Sequence, residues 1–193
     1  AAADRLGVRF FGEAHFDRGL IAQNLAFMEE NAGNDEDALR LRERAVAVLT
    51  ASKGKTAEET LLARIELAGS RFAVGFVEQS CATLDDVASV ARSEFGETRV
   101  LARALAGQGE CAGKNRAWKR AETLLRASIA LSEKVSDSRD YRDETMLTLG
   151  SVLWESGHTE HAKALVEQAL RDAKRESPLQ EMAPKWLQEH RGP

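Results

Sequence analysis

Proline is missing from the first 177 of the 193 residues, and Pro178, Pro184 and Pro193 all fall in the last 16. Proline inside a helix loses an amide donor and clashes with the preceding turn, so a stretch this long without it favours helices throughout. Cysteine is also scarce. Cys81 and Cys111 are too few and too far apart for a disulfide framework or a zinc site. Both sit among small apolar neighbours and are expected to be reduced packing residues in a reducing compartment, with a disulfide between them as the alternative. Long apolar runs are lacking as well. Uncharged stretches such as those around 46–52 and 72–77 fall far short of the roughly 20 apolar residues that cross a bilayer, so a soluble chain without a membrane span is expected. There is no basic excess: Lys+Arg 27 against Asp+Glu 31 gives −4, which argues against nucleic acid and for protein or peptide partners. A start on Ala-Ala-Ala-Asp without methionine is what a processed product, or a segment of something longer, would show.

One stretch has a visible register, Met146 to Ala169, MLTLGSVLWESGHTEHAKALVEQA. It reads as a helix–turn–helix unit. Gly150 and Ala162 let two antiparallel helices approach closely, Gly157 supplies the turn, and Leu149, Leu153 and Val166 fill the space between. Such a unit cannot bury its faces alone, which predicts copies elsewhere. Steps of 41, 41 and 42 residues back from Gly150 reach Gly109, Ala68 and Ala26, and the same steps from Ala162 reach Ala121, Ser80 and Ala38. All eight positions hold small residues. Four beyond the second member of each pair stand Val166, Leu125, Leu84 and, in the first copy, Arg42. The turn glycine recurs as Gly75 and Gly33, with Arg116 in its place in the third copy.

This spacing resembles the tetratricopeptide repeat, and the likeness covers about residues 15 to 175. The period of 41 to 42 exceeds the usual 34 and is similar to the long-helix variant of kinesin light chains and several bacterial peptide-sensing regulators. The chain departs from the pattern where an aromatic should follow the glycine, which reads Leu153, Ala112, Arg71 and Glu29, and it lacks the closing proline. The resemblance implies an all-α fold, a right-handed superhelical array of about four repeats with a C-terminal capping helix. It also implies a non-catalytic binding scaffold or adaptor. The alternatives are a structural or assembly subunit of a large multiprotein complex, or a regulatory repeat domain cut from a larger enzyme or regulator.

In chain order, 1–14 is expected to be a lead-in that packs Phe10 or Phe11 on the first repeat, because a solenoid end otherwise exposes its core. Repeats are placed at 15–55, 56–96, 97–142 and 143–176, and a capping helix and tail at 177–193. Phe16, Leu20, Leu25 and Met28 form the apolar set of the first helix, and Asn34 or Asp35 caps the second. Arg40, Arg42 and Arg44 read as a solvated basic face. Thr56 to Glu59 has the form of a capping box, Ser136 to Asp140 that of a mobile loop. Ser177, Pro178 and Gln180 begin a last helix, which Pro184 interrupts.

Tempting chemistry fails on spacing. Gly107 to Gly113 has five intervening residues where a phosphate loop has four, and Asn115 stands where a hydroxyl is needed, so these glycines are read as helix-packing residues. His158 and His161 lack a third ligand beside them, and no catalytic residue, metal or cofactor is expected. The resemblance places the residue four after each packing glycine or alanine in the concave groove: Glu30, Phe72, Gly113 and Trp154. Phe72 and Trp154, flanked by Arg103 and Lys114, would suit a peptide with an apolar anchor and an acidic group. The competing reading has Trp154 completing the core or lying under the C-terminal helix. The asparagine ladder of long-repeat relatives is absent, its row reading Asn24, Glu66, Gly107 and Thr148.

Overall fold

The computed structural model describes residues 15–135, 139–175 and 177–190, and among these every regular element is a helix. They are α1 Phe16–Asn31, α2 Asp35–Lys53, α3 Glu58–Ala73, α4 Val77–Glu94, α5 Arg99–Lys114, α6 Trp118–Lys134, α7 Arg139–Glu155, α8 Thr159–Asp172 and α9 Leu179–Glu189. From α1 to α4, and again from α5 to α8, successive helices pack as hairpins, and α9 lies on α8 and α7. The chain divides into two compact units, one to Phe95 and one from Gly96, each holding two hairpins. The lead-in 1–14, with Phe10 and Phe11, and the loop centre 136–138 lie outside the described residues. No described helix is long and apolar enough to cross a membrane.

The four hairpin turns share one backbone solution. Gly33, Gly75, Arg116 and Gly157 have φ of 77°, 94°, 55° and 90°. Each donates its amide three residues back, to Glu30, Phe72, Gly113 and Trp154, and the next residue donates five back, to Glu29, Arg71, Ala112 and Leu153. This pair of bonds closes a helix with a left-handed residue and satisfies its last carbonyls. Arg116 therefore occupies the glycine's place by adopting the glycine's conformation, at the steric cost of a Cβ in the left-handed region.

Packing follows the small-residue register. All eight positions, Ala26, Ala68, Gly109, Gly150, Ala38, Ser80, Ala121 and Ala162, are buried. A Cβ added to Gly109 would stand 2.6 Å from Leu125 Cγ, and one on Gly150 would stand 2.5 Å from Val166 Cγ2. Glycine is required there by the branched side chain opposite it, since protein interiors are packed too densely to absorb another methyl. Ser80 is the one hydroxyl of the set, and it donates to the Ala68 carbonyl at 2.7 Å, so its burial leaves no polar group unpaired.

Local details differ from the sequence reading. The buried face of α1 is Arg18, Gly19, Ala22 and Ala26, while Leu20 and Met28 are exposed, and α2 comes so close that a Cβ on Gly19 would stand 2.6 Å from Leu49 Cγ. Ala57, not Thr56, caps α3, and no side chain caps either α2 or α3. Pro184 does not interrupt α9 but lies inside it, where Leu179, Ala183 and Trp186 are buried and hold the helix through the lost hydrogen bond. Ser177 Oγ accepts from the Leu179 amide at 3.3 Å, but Gln180 does not close a box with it. Gln180 donates instead to the Leu170 and Ala173 carbonyls at the end of α8, at 3.4 and 3.2 Å. Neither cysteine is a free thiol. Cys81 and Cys111 are both disulfide-bonded, which overturns the reading of reduced packing residues and removes its ground for a reducing compartment.

Candidate functional site

The row Glu30, Phe72, Gly113 and Trp154 closes the same position in each hairpin, since each residue's carbonyl accepts the turn residue's amide. Glu30 and Phe72 belong to the first unit, Gly113 and Trp154 to the second, together with Arg103 and Lys114. Phe72 is half-buried near the end of α3. Lys114 is exposed at the end of α5. Arg103 is half-buried, with its guanidinium 4.8 Å from the centre of the Tyr141 ring, and Tyr141 Oη donates to the Arg103 carbonyl at 3.2 Å. Gly113 faces Val152, whose Cγ2 would lie 3.2 Å from an added Cβ.

Trp154 is half-buried and lies against α9. Its ring meets Trp186 edge-on at 6.0 Å and His190 edge-on at 4.8 Å, while Lys163 Nζ stands 5.5 Å from its centroid. Trp186 and His190 stack at 4.0 Å, and His190 Nδ1 lies 2.7 Å from the Trp186 carbonyl, an acceptor, so that nitrogen carries the proton. Trp186 Nε1 donates to Ser151 Oγ at 2.8 Å. This aromatic nest gives Trp154 a partner inside its own unit, the arrangement in which it lies under the C-terminal helix.

The first unit holds a polar cluster around Arg42, a residue that the sequence reading placed on a solvated face. Arg42 is only 5% exposed. Its Nη2 donates to Glu30 Oε2 at 2.8 Å and lies 3.5 Å from Glu66 Oε2, and Nε reaches Glu30 Oε1 at 3.3 Å. Ser70 Oγ donates to the same Glu30 oxygen at 2.7 Å. Burial pushes the Glu30 carboxyl up, but the hydrogen bonds from Arg42 and Ser70 and the Arg42 charge outweigh it and hold it below its ordinary 4.5. Above the cluster opens a cavity of about 320 Å³ lined by Glu30, Asp35, Glu66, Gly69, Ser70 and Ala73. Arg42 is buried because it stands at the position that Leu84, Leu125 and Val166 fill in the other hairpins, a signal the register already carried. Of its sequence neighbours, Arg40 pairs with Asp37 at the surface.

Two other features were not anticipated. Leu20 and Phe27 are exposed on α1, Phe27 at 60%, one turn before Glu30. In the second unit, burial together with the charge of Glu144 on α7 pushes the Glu110 carboxyl on α5 up to about 7, although its side chain still reaches solvent, which screens the effect. The glycines from 107 to 113 lie within α5 and make no loop. His158 and His161 stack at 6.4 Å, and among the described residues no three His, Cys, Asp or Glu side chains gather as metal ligands.

No family model and no curated protein matches the chain. Solved structures share its fold. BtubC (BKLC) from P. vanneervenii is 17% identical, with a TM-score of 0.69 over 88% of this chain and 70% of that one. Kinesin light chain nearly identical TPR-like repeats from Podosopora anserina are 19% identical, with a TM-score of 0.65 over 91% of each chain. A Rap protein complexed with competence and sporulation factor is 15% identical, with a TM-score of 0.70 over 91% of this chain and 47% of that one, so this chain spans about half its length.

Proposed function

The chain has the fold of tetratricopeptide-like repeat proteins, and from that premise we propose that it is a non-catalytic scaffold that binds a partner protein or peptide on the faces of its first helices. One observation carries the reading: the two small-residue rows keep one kind of residue in every hairpin, whereas the row Glu30, Phe72, Gly113 and Trp154 changes chemistry at each step. Uniform rows hold the array together, and a varied row on the same helices is what a recognition surface needs. Phe72 is the proposed apolar contact of the first unit, and Arg103 and Lys114 receive an acidic group in the second. Trp154 contributes through whatever part of its ring α9 leaves open. A likeness to a Rap protein in complex with competence and sporulation factor supports peptide-sized partners.

The test is a pull-down with the intact chain and its Phe72→Ala, Lys114→Ala and Trp154→Ala variants, each beside a thermal melt. Phe72→Ala should weaken binding by about 2 kcal/mol, as aromatic anchors do. Lys114→Ala should cost about 1 kcal/mol or less, an effect that fades with salt. Trp154→Ala should lower stability by about 3 kcal/mol through the lost α9 packing. Unchanged capture by both Phe72→Ala and Lys114→Ala would retire this surface.

A further inference from the structure

In the second unit a carboxyl stands between the two cations proposed to receive an acidic group. α5 buries the face that carries Leu101, Leu105, Gly109 and Ala112. Arg103, Gly107, Glu110 and Lys114 are not buried, and their spacing of four, three and four residues sets them on one stripe of the helix. At 1.5 Å per residue the stripe is about 16 Å long. Glu110 lies two turns after Arg103 and one turn before Lys114. Gly107 has no side chain, so an acidic group that engages both cations lies along Glu110.

Glu110 is not answered by the groups around it. Among the described residues it has no ion pair and no hydrogen bond, even with Lys114 one turn away. From α7 it faces Glu144, whose charge acts on it, and Tyr141, whose Oη donates to the Arg103 carbonyl at 3.2 Å. α6 packs against the buried side of α5 with Ala121 and Leu125, and its Glu122 pairs with Arg126 at 2.8 Å. Burial first, and the Glu144 charge second, push the Glu110 carboxyl up to about 7. Solvent at the exposed side chain screens these effects, and a peptide seated on the stripe would displace that solvent.

We propose that Glu110 determines when the Arg103–Lys114 stripe accepts an acidic peptide: as a neutral carboxyl it donates a hydrogen bond to the peptide's carboxylate, and as a carboxylate it repels it. Glu110 acts this way only if Arg103 and Lys114 receive an acidic group, so its role rests on the reading given above. An O–H donor to a carboxylate makes a short, strong bond, whereas two carboxylates in contact repel. Ionised, Glu110 also cancels one of the two cations on the stripe. The coupling is reciprocal: the proton strengthens peptide binding by the factor by which the peptide strengthens proton binding. Binding is therefore favoured as pH falls through about 7, down to about pH 4, where the peptide's own carboxylates take up protons.

The experiment is selection of a displayed random peptide library against the intact chain at pH 6, with the selected peptides then measured from pH 5.5 to 8.5 on wild type, Glu110→Gln and Lys114→Ala. Acidic peptides should be enriched. Their affinity for the wild type should fall about 3- to 10-fold between pH 6 and pH 8, the upper figure because about a tenth of a carboxyl titrating at about 7 is neutral at pH 8. Glu110→Gln should lose this slope, since the amide donates at every pH, and Lys114→Ala should bind about 2- to 5-fold more weakly at both ends while keeping it. Carboxyl resonances give a second readout without any substitution: added peptide should raise the pH at which Glu110 titrates. A flat wild-type profile, a Glu110→Gln profile that keeps the wild-type slope, or a Glu110 titration unmoved by peptide would overturn its role, while enrichment of acidic peptides sensitive to Lys114→Ala would leave the reading of the stripe standing. Enrichment only of peptides without acidic residues, or no enrichment at all, would count against both.

Discussion

Arg42 in the first hairpin and Leu125 in the third stand at the same place in the repeat, four residues past the small residue of the second helix, and both are buried. Leu125 fills the space that Gly109 leaves, its Cγ lying where a Cβ on that glycine would come within 2.6 Å. Arg42 instead reaches Glu30 and Glu66 with its guanidinium. The register thus dictates burial but not the means of satisfying it. A leucine needs only volume, whereas a buried guanidinium needs carboxylates within hydrogen-bond reach, and the first unit supplies them from α1 and α3.

The largest expected effect comes from breaking that arrangement. Arg42→Ala removes a buried cation that two carboxylates share and should cost about 3 kcal/mol of stability, within the range for breaking a buried pair and lessened because Glu30 and Glu66 keep some solvent, at 32% and 28% side-chain exposure. Installing the second hairpin's residues instead, Glu30→Phe with Arg42→Leu, should return most of the loss, because an apolar pair of similar volume carries no desolvation penalty. The acid response separates the two states. Glu30 is held below 4.5 when folded, so its contribution is present above 4.5 and is lost as pH falls through the folded value. Denaturant melts from pH 7 to pH 3 should show that loss in the wild type and not in the double variant. A double variant as unstable as Arg42→Ala would mean that the two hairpins do not share one packing solution.

A smaller effect tests the turns. Arg116 is the only non-glycine residue with positive φ among those described, at 55°, while Gly75 and Gly157 carry the same pair of turn hydrogen bonds. Arg116→Gly should raise stability by about 0.5 to 1 kcal/mol, the strain relieved exceeding the entropy lost on ordering glycine. Gly157→Ala, by the same argument, should lower stability by about 1 kcal/mol. If Arg116→Gly proves destabilising, side-chain contacts of Arg116 outweigh its backbone strain.

What was legible in the sequence was whatever depends on volume and period. The eight small positions, the Val166, Leu125 and Leu84 row, and the glycines at 33, 75 and 157 all follow from one 41- to 42-residue step, and each sits where that step puts it. What escaped was chemistry that crosses the period. Arg42 looked like a member of a basic face because Arg40 and Arg44 lie beside it, although the register already placed it on the buried row. The Trp154–Trp186 contact involves a helix that copies no earlier one, so the spacing left Trp154 under the C-terminal helix as one alternative among several. Pro184 was read from its residue type alone, and the packing of Trp186 and Leu179 overrides that preference.

The smallest effect belongs to the second unit's counterpart of the first unit's acids. Glu30 is matched by Arg42, but Glu110 on α5 faces the charge of Glu144 on α7, and its carboxyl is pushed up to about 7 where that of Glu30 is pulled down. The sign of the linkage is therefore reversed. A carboxyl whose folded value is raised takes up its proton more readily folded than unfolded, so its favourable contribution is complete below about 4.5 and is lost as pH rises through about 7. Because the Glu110 side chain still reaches solvent, screening keeps the effect modest, and it should shrink further in high salt. Stability of the intact chain should then decline gently between pH 5 and pH 7.5, and Glu110→Gln should flatten that decline without changing the acid limb set by Glu30. Carboxyl resonances followed by NMR give the direct check. A Glu110 titration at an ordinary carboxylate value would dissolve the contrast between the two units and leave the Arg42 cluster without a counterpart in the second unit.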